Sequence, residues 1–186
     1  FGVYNTISRN GNRIAFSYNS GNASSFGEVE VYEISSGNWV KVGNTITMGI
    51  NGDFFGQSIS LNNDGNRIVI GSPGSYASNS NTGKIIVFEL NNNIWTQLGS
   101  TILGQFNEYL GQIECLNIND SGNVISISGK KGNTGNSGSY LRVYEFINND
   151  WIQKGNDLPV SNIQYSEMRS SINSDGNIIA FSHNLT

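Results

Sequence analysis

The chain has 186 residues, 37% hydrophobic and only 13% charged, with a formal net charge of −4 and a pI near 4.9. Charged residues stand at about half the usual share of roughly 25%. The gap is filled by 29 Asn, 25 Ser and 23 Gly, a turn-rich mixture that excludes a helical bundle, a coiled coil and, with one Cys, a disulfide-stapled miniprotein. Ten basic residues leave no electrostatic footprint for nucleic acid, and no apolar run is long enough to insert into a membrane.

The chain opens Phe1-Gly2-Val3, without Met, a basic stretch or an apolar run, and reads as processed or as a piece of something longer. Its organising feature is internal repetition. Trp39, Trp95 and Trp151 are spaced 56 and 56 apart (95−39, 151−95), as are Glu33, Glu89, Glu145 and Gly43, Gly99, Gly155. The pairs Gly11-Asn12, Gly65-Asn66, Gly122-Asn123 and Gly176-Asn177 keep nearly the same register. One segment, 1–186, therefore divides into repeats 1–54, 55–109, 110–165 and a partial 166–186.

In the second repeat, Gln57–Leu61 alternates and predicts strand a. Asn62-Asn63-Asp64-Gly65-Asn66 is a tight turn, Asp-Gly supplying the positive φ that hairpin turns need. Arg67–Gly71 predicts strand b, 72–82 a Gly/Ser/Asn loop, Gly83–Leu90 strand c, Asn91-Asn92-Asn93 a turn, and Ile94–Leu98 strand d. A polar connection through Gly104 to Tyr109 leads into the next repeat. Strand c is apolar on both faces: Val29/Val31, Ile85/Val87 and Leu141/Val143 on one, Tyr32/Ile34, Phe88/Leu90 and Tyr144/Phe146 on the other. A half-exposed sheet would alternate apolar with polar, so each sheet should be covered on both sides. An all-β propeller of four-stranded antiparallel blades, three blades and the start of a fourth, meets that demand. A β-trefoil is the alternative. Because about 4–8 blades close a ring, further repeats of the chain or a second copy are expected to complete it.

Phe55-Gly56, Asn63-Asp64-Gly65-Asn66, Ile70-Gly71-Ser72-Pro73 and Gly83-Lys84-Ile85-Ile86-Val87-Phe88 together resemble the FG-GAP repeat of integrin-α-type β-propellers. Trp95-Thr96-Gln97-Leu98-Gly99 and Trp151-Ile152-Gln153-Lys154-Gly155 are similar to the W-x-Q-x-G strand added in bacterial, algal and viral versions, and Trp39-Val40-Lys41-Val42-Gly43 carries Lys at the Gln position. Phe-Gly becomes Leu110-Gly111 in the third repeat and Ser166-Glu167 in the fourth. Calcium is the cofactor the resemblance raises. The D-x-D-x-D-G pattern that a calcium loop needs is missing, however, since each turn offers at most one acid: Asp64, Asp120 or Asp175.

Catalytic groups are sparse. His183 is the single histidine, which excludes a His-based metal cluster, and it reads as a loop-edge residue. Cys115 in an apolar run reads as a buried thiol. The recurring Glu and Trp read as structural, the Glu as a cross-blade hydrogen bond and the Trp as a cap on the core between blades. Asp53, Glu108 and Asp157 sit in or beside equivalent d–a connections, and only their convergence would suggest a paired-carboxylate glycosidase. Sequons at Asn22, Asn119 and Asn184 carry little information in so Asn- and Ser-rich a chain.

The b–c loops 18–27, 72–82 and 129–139 vary while the strands keep register, and they share one end of the blades with the d–a connections. Tyr18, Asn22, Tyr76, Asn79, Lys130, Lys131 and Asn133, with Tyr140 nearby, are the candidate contacts for a protein or glycan. No catalytic, cofactor or metal residue is expected. The resemblance implies a non-catalytic interaction or adhesion module on a cell or virion surface. A purely structural spacer or assembly segment is the alternative, and an enzyme is a third reading.

Overall fold

Short β-branched runs punctuated by Asn-Gly and Asp-Gly turns favour antiparallel hairpins, and the computed structural model consists of them. It describes residues 4–18, 27–48, 52–74, 82–112, 116–130, 139–160 and 168–183, with the backbone alone for Lys130, Val160, Met168 and His183. The first sheet holds β1 (Tyr4–Ile7), β2 (Arg13–Tyr18), β3 (Glu28–Ser35), β4 (Asn38–Lys41) and β5 (Ile46–Thr47). The second holds β6 (Ser58–Leu61), β7 (Arg67–Ser72), β8 (Lys84–Asn91), β9 (Ile94–Gln97) and β10 (Ile102–Leu103). The third holds β11 (Leu116–Ile118), β12 (Val124–Lys130), β13 (Ser139–Ile147), β14 (Asp150–Gln153) and β15 (Leu158–Val160). β16 (Met168–Ile172) and β17 (Ile179–His183) form a two-stranded fourth. The inner strands β1, β6, β11 and β16 lie against one another in that order. Successive sheets thus converge on one axis, as the blades of a propeller.

Two clusters fill the spaces between blades. Ala15, Val29, Val31 and Ile46 of blade 1 meet Leu61, Ile68, Ile70, Ile86, Phe88 and Trp95 of blade 2. Val69, Ile85, Val87 and Ile102, on the other face of blade 2, meet Leu116, Ile118, Ile125, Ile127, Tyr144 and Trp151 of blade 3. Blade 2 is buried on both faces, which is why its strand c carries no polar side. The Phe-Gly motif supplies Phe55 to the first cluster at 1% exposure, and its replacement Leu110 is equally buried in the second, at 2%.

The fourth strand runs further than its sequence suggests. Along β3 the partner advances from Tyr32 to Val29, three positions, while the outer edge goes from Lys41 to Ile46, five. The same offset separates Gln97 from Ile102 and Gln153 from Leu158. Strand d is therefore one edge strand with a two-residue bulge at Gly43, Gly99 or Gly155, not a strand ending there in a polar connection. The bulge is a socket. Trp95 Nε1 donates to the Val42 carbonyl and Trp151 Nε1 to the Leu98 carbonyl, both at 2.9 Å. In each case the glycine beside that carbonyl faces the indole of the next blade.

Gly99 has φ +73°, and a Cβ there would stand 2.8 Å from Trp151 Cδ1; Gly155 has φ +75°, with no described atom within 4 Å of that place. Both alanine variants carry the left-handed penalty of about 1–2 kcal/mol. Gly99→Ala adds overpacking, so urea unfolding should find it about 1–3 kcal/mol less stable than Gly155→Ala. Equal losses would show that the indole does not need the bare glycine.

Other residues join neighbouring blades. Arg13 pairs with Glu33 of its own blade (2.9 Å) and reaches the Gly65 carbonyl of the next at 3.2 Å. Arg67 does the same with Glu89 (2.5 Å) and the Gly122 carbonyl (3.2 Å). The recurring Glu is thus an in-blade ion pair, and the Arg opposite makes the cross-blade bond. The third repeat has Val124 in the Arg position, and there Glu145 pairs with Lys154 at 3.0 Å instead.

The a–b turns are tied by their first asparagine. Asn62 Oδ1 accepts the Arg67 N–H at 2.9 Å, and Asn119 Oδ1 accepts those of Asn123 and Val124 at 3.0 and 2.9 Å. Asn119 is 1% exposed, so it is no glycan acceptor in the folded chain; Asn22 and Asn184 lie outside the described residues. The turns also bond to one another: Asn10 N–H to the Asn63 carbonyl (3.3 Å), Asn63 N–H to that of Asp120 (3.2 Å), and Asp120 N–H to that of Ser174 (3.1 Å). Arg9 bridges from blade 1 to blades 3 and 4, donating to Asp120 Oδ1 (2.5 Å) and the Ile172 carbonyl (2.6 Å).

Candidate interaction face

The meander places b–c loops and d–a connections at the same end of the blades. Of the candidate contacts, Tyr18 ends β2 at 39% exposure, and Lys130 ends β12, its backbone paired with Ser139. Asn22, Tyr76, Asn79, Lys131, Asn133 and Cys115 lie outside the described residues. Tyr140 corrects an expectation: it is fully buried, its ring 4.5 Å beneath the Arg142 guanidinium. His183 closes β17, where its backbone pairs with Met168.

Among the described residues at this end, the connection between blades 2 and 3 carries a buried ion cluster. Gln105–Glu108 forms a turn in which the Glu108 N–H donates to the Gln105 carbonyl at 3.0 Å, while Glu108 Oε2 accepts the Gln105 N–H. Glu108 is itself buried and lies 3.1 Å from Arg142 Nη1. Arg142, also buried, binds Asp157 in bidentate fashion at 2.8 and 2.9 Å. Bonding to Asp157 outweighs burial and holds the guanidinium above its ordinary pKa. Burial pushes the neighbouring Tyr144 phenol up as well.

Two of the three acids considered for catalysis are thus brought together, with a guanidinium standing between them where a substrate oxygen or a water would have to sit. Asp53 does not join them; its carboxylate pairs with Lys84. Among the described residues no three His, Cys, Asp or Glu side chains group as metal ligands, and Asp120 of the a–b turn is taken by Arg9.

Above this cluster the connection exposes apolar side chains. Phe106, at the second position of the locked turn, is 69% exposed, and Leu103 is 68% exposed. Asn107 and Tyr109 hold left-handed φ values of 60° and 51°, and Phe54, the counterpart of Tyr109 in the preceding connection, 51°. Left-handed backbone at bulky residues persists only where its surroundings impose it, and here the buried Glu108 lies between the two. Arg142, Phe106 and Leu103 were not singled out from sequence. The available signal was a break in the repeat: position 142 carries Ile86 and Glu30 in the earlier blades (142−86 and 86−30 are both 56).

Blade 1 uses the same position differently. Glu30 accepts from Lys41, from the Tyr32 hydroxyl at 2.7 Å and from Thr45 at 3.1 Å. The Lys41 bond above all holds its carboxyl below the ordinary 4.5, and the bond to Glu30 pushes the Tyr32 phenol up to about 12. At Glu89 burial opposes ionisation, but bonds from Asn91 and Arg67 overcome it and leave that carboxyl lowered too. A carboxyl with a depressed folded-state pKa contributes stability that is present above its unfolded value and lost as pH falls through the folded one. Between pH 4.5 and the tyrosine range the urea midpoint should therefore hold steady, and below pH 4.5 it should fall. Glu30→Gln should flatten that acid limb, and an unchanged limb would remove Glu30 from the account.

No protein-family model and no curated protein sequence matches the chain. Solved structures do. It is similar to a hypothetical selenium-binding protein from Sulfolobus tokodaii (TM-score 0.56, 9% identity), over 86% of this chain and 41% of that one. It is similar to prolyl oligopeptidase B from Galerina marginata (TM-score 0.54, 13% identity), over 98% of this chain and 25% of that one. A structure from work on two prolyl endopeptidases is similar at a TM-score of 0.53 and 11% identity, over 91% of this chain and 22% of that one. The chain spans less than half the length of each, and at these identities the likeness is one of fold.

Proposed function

We propose that the chain is a non-catalytic interaction module of FG-GAP-like propeller repeats, displayed on a cell or virion surface. It holds a protein or glycan partner through its b–c loops and d–a connections. The observation that carries this reading is Phe106, held outward on a turn whose own carboxylate is buried against Arg142, which Asp157 holds in turn. An aromatic presented by a rigid turn loses little freedom on binding, which is the property of an interface anchor. The preceding d–a connection has Asn51 at the matching place (Glu108 and Asp53 both precede their Gly by three), so the aromatic is not a requirement of the repeat.

The test is a screen of the purified chain on a glycan array and an array of extracellular proteins, repeated with Phe106→Ser. A hit weakened at least about tenfold by the substitution, with unchanged thermal unfolding, supports the reading. Blank arrays, or hits indifferent to Phe106, favour the alternative of a structural spacer without a ligand of its own.

A further inference from the structure

The joint between blades recurs twice in the chain, and a third copy of its receiving half stands ready on blade 3. Gly155 holds φ +75°, against +73° at both Gly43 and Gly99. Gln153 Nε2 donates to the Gly155 carbonyl (3.2 Å) and to Asp157 (2.9 Å), as Gln97 does to the Gly99 carbonyl and Thr101, so the bulge is already set. No described atom lies within 4 Å of where a Gly155 Cβ would be. Leu158 is 52% exposed, whereas Ile46 and Ile102 in the same register are 2% and 7% exposed, covered by the following blade.

We propose that this outer half of blade 3 is an acceptor groove for a tryptophan-bearing β-hairpin, the c–d hairpin of another repeat of this kind. Its first strand adds to β17, which among the described residues pairs only with β16, whereas each earlier strand b also pairs with a strand c. Its second strand lays an indole on Gly155, with Nε1 donating to the Lys154 carbonyl as Trp95 and Trp151 donate to Val42 and Leu98. Asn156 occupies the place of Asn44, whose Oδ1 accepts the Trp95 N–H at 2.8 Å, and is positioned to fix the register. An intact second copy does not fit, because its β1 and β2 would stand where β16 and β17 already are. Groove and Phe106 turn share only Asp157, which no variant below alters, and Phe106 itself takes no part in the groove, so this inference does not rest on the interaction-face reading.

The probe is a fluorescently labelled peptide of residues 28–43, the chain's own first c–d hairpin with Trp39, titrated with the 186-residue chain and read by anisotropy. Saturable binding is expected, weakened at least about tenfold by Trp39→Ala in the peptide and by Leu158→Asp in the chain. Leu158 is half exposed, so its variant should keep the circular dichroism and unfolding midpoint of the parent; Gly155→Val, checked the same way, is a second block on the groove. Absence of saturable binding overturns the proposal. So does binding that survives loss of the indole, which would assign the groove to another occupant, or binding that survives both groove variants.

Discussion

Arg142→Met should lower the stability of the folded chain by about 3–5 kcal/mol, the usual result of removing one partner from a buried ion pair. Glu108 is 4% exposed and Arg142 5%, so the substitution leaves a carboxylate without its cation where water does not replace it. For a domain of this size the loss corresponds to a fall of roughly 10 °C in unfolding temperature. Urea unfolding and calorimetry should agree on it. Glu108→Gln ought to be milder, at about 1 kcal/mol, because the bidentate bond to Asp157 survives. Giving the cluster the residues of blade 2 at two positions (Arg142→Ile with Asp157→Thr) and neutralising the third (Glu108→Gln) should recover most of the stability, since an apolar replacement of a buried ion group is often neutral. A harmless Arg142→Met would mean that the cluster is solvated and that the Phe106 turn is held by something else.

Trp95→Ala and Trp39→Ala remove the same residue from the same repeat position and should differ by several kcal/mol. Trp95 is 4% exposed and gives its indole N–H to the Val42 carbonyl. Its truncation opens a cavity between blades 1 and 2 and leaves a carbonyl unpaired, a loss of about 3–5 kcal/mol. Trp39, at the outer face of blade 1, is 47% exposed and should cost under about 1 kcal/mol. Thermal unfolding of the two variants side by side decides it. Matching losses would show that the face of blade 1 is covered in solution.

The blades could be read from the sequence because their causes are local and repeated. Asp64-Gly65 and its counterparts mark turns through backbone chirality, and Ile85/Val87 opposite Phe88/Leu90 points to a strand c covered on both faces, as it is in blade 2. What escaped depends on partners distant in sequence. Ile46 and Ile102 looked like part of a polar connection because a strand of two residues has no periodicity to detect. Arg142 alternates with apolar neighbours as a solvent-facing residue would; only the fold brings it to Glu108, which lies in the connection between blades 2 and 3. Tyr140, placed near the candidate contacts because it borders a b–c loop, serves instead as the floor beneath Arg142. The recurring Glu reads from sequence as a cross-blade hydrogen bond, whereas Glu33 and Glu89 pair within their own blades and Arg13 and Arg67 make the crossing. Most of the contacts proposed for a partner lie in the variable loops outside the described residues, and the repeat that revealed the scaffold says least about those loops.

The backbone bonds linking the a–b turns have a kinetic consequence. Amides in surface turns ordinarily trade hydrogen with solvent quickly, since local opening takes little free energy. Those of Asn10, Asn63 and Asp120 are each held by the carbonyl of the adjoining blade, so each can exchange only when its own joint parts. Their three exchange rates form a set of gauges, one per joint, that separates the tightness of neighbouring blades where a global unfolding curve yields a single sum.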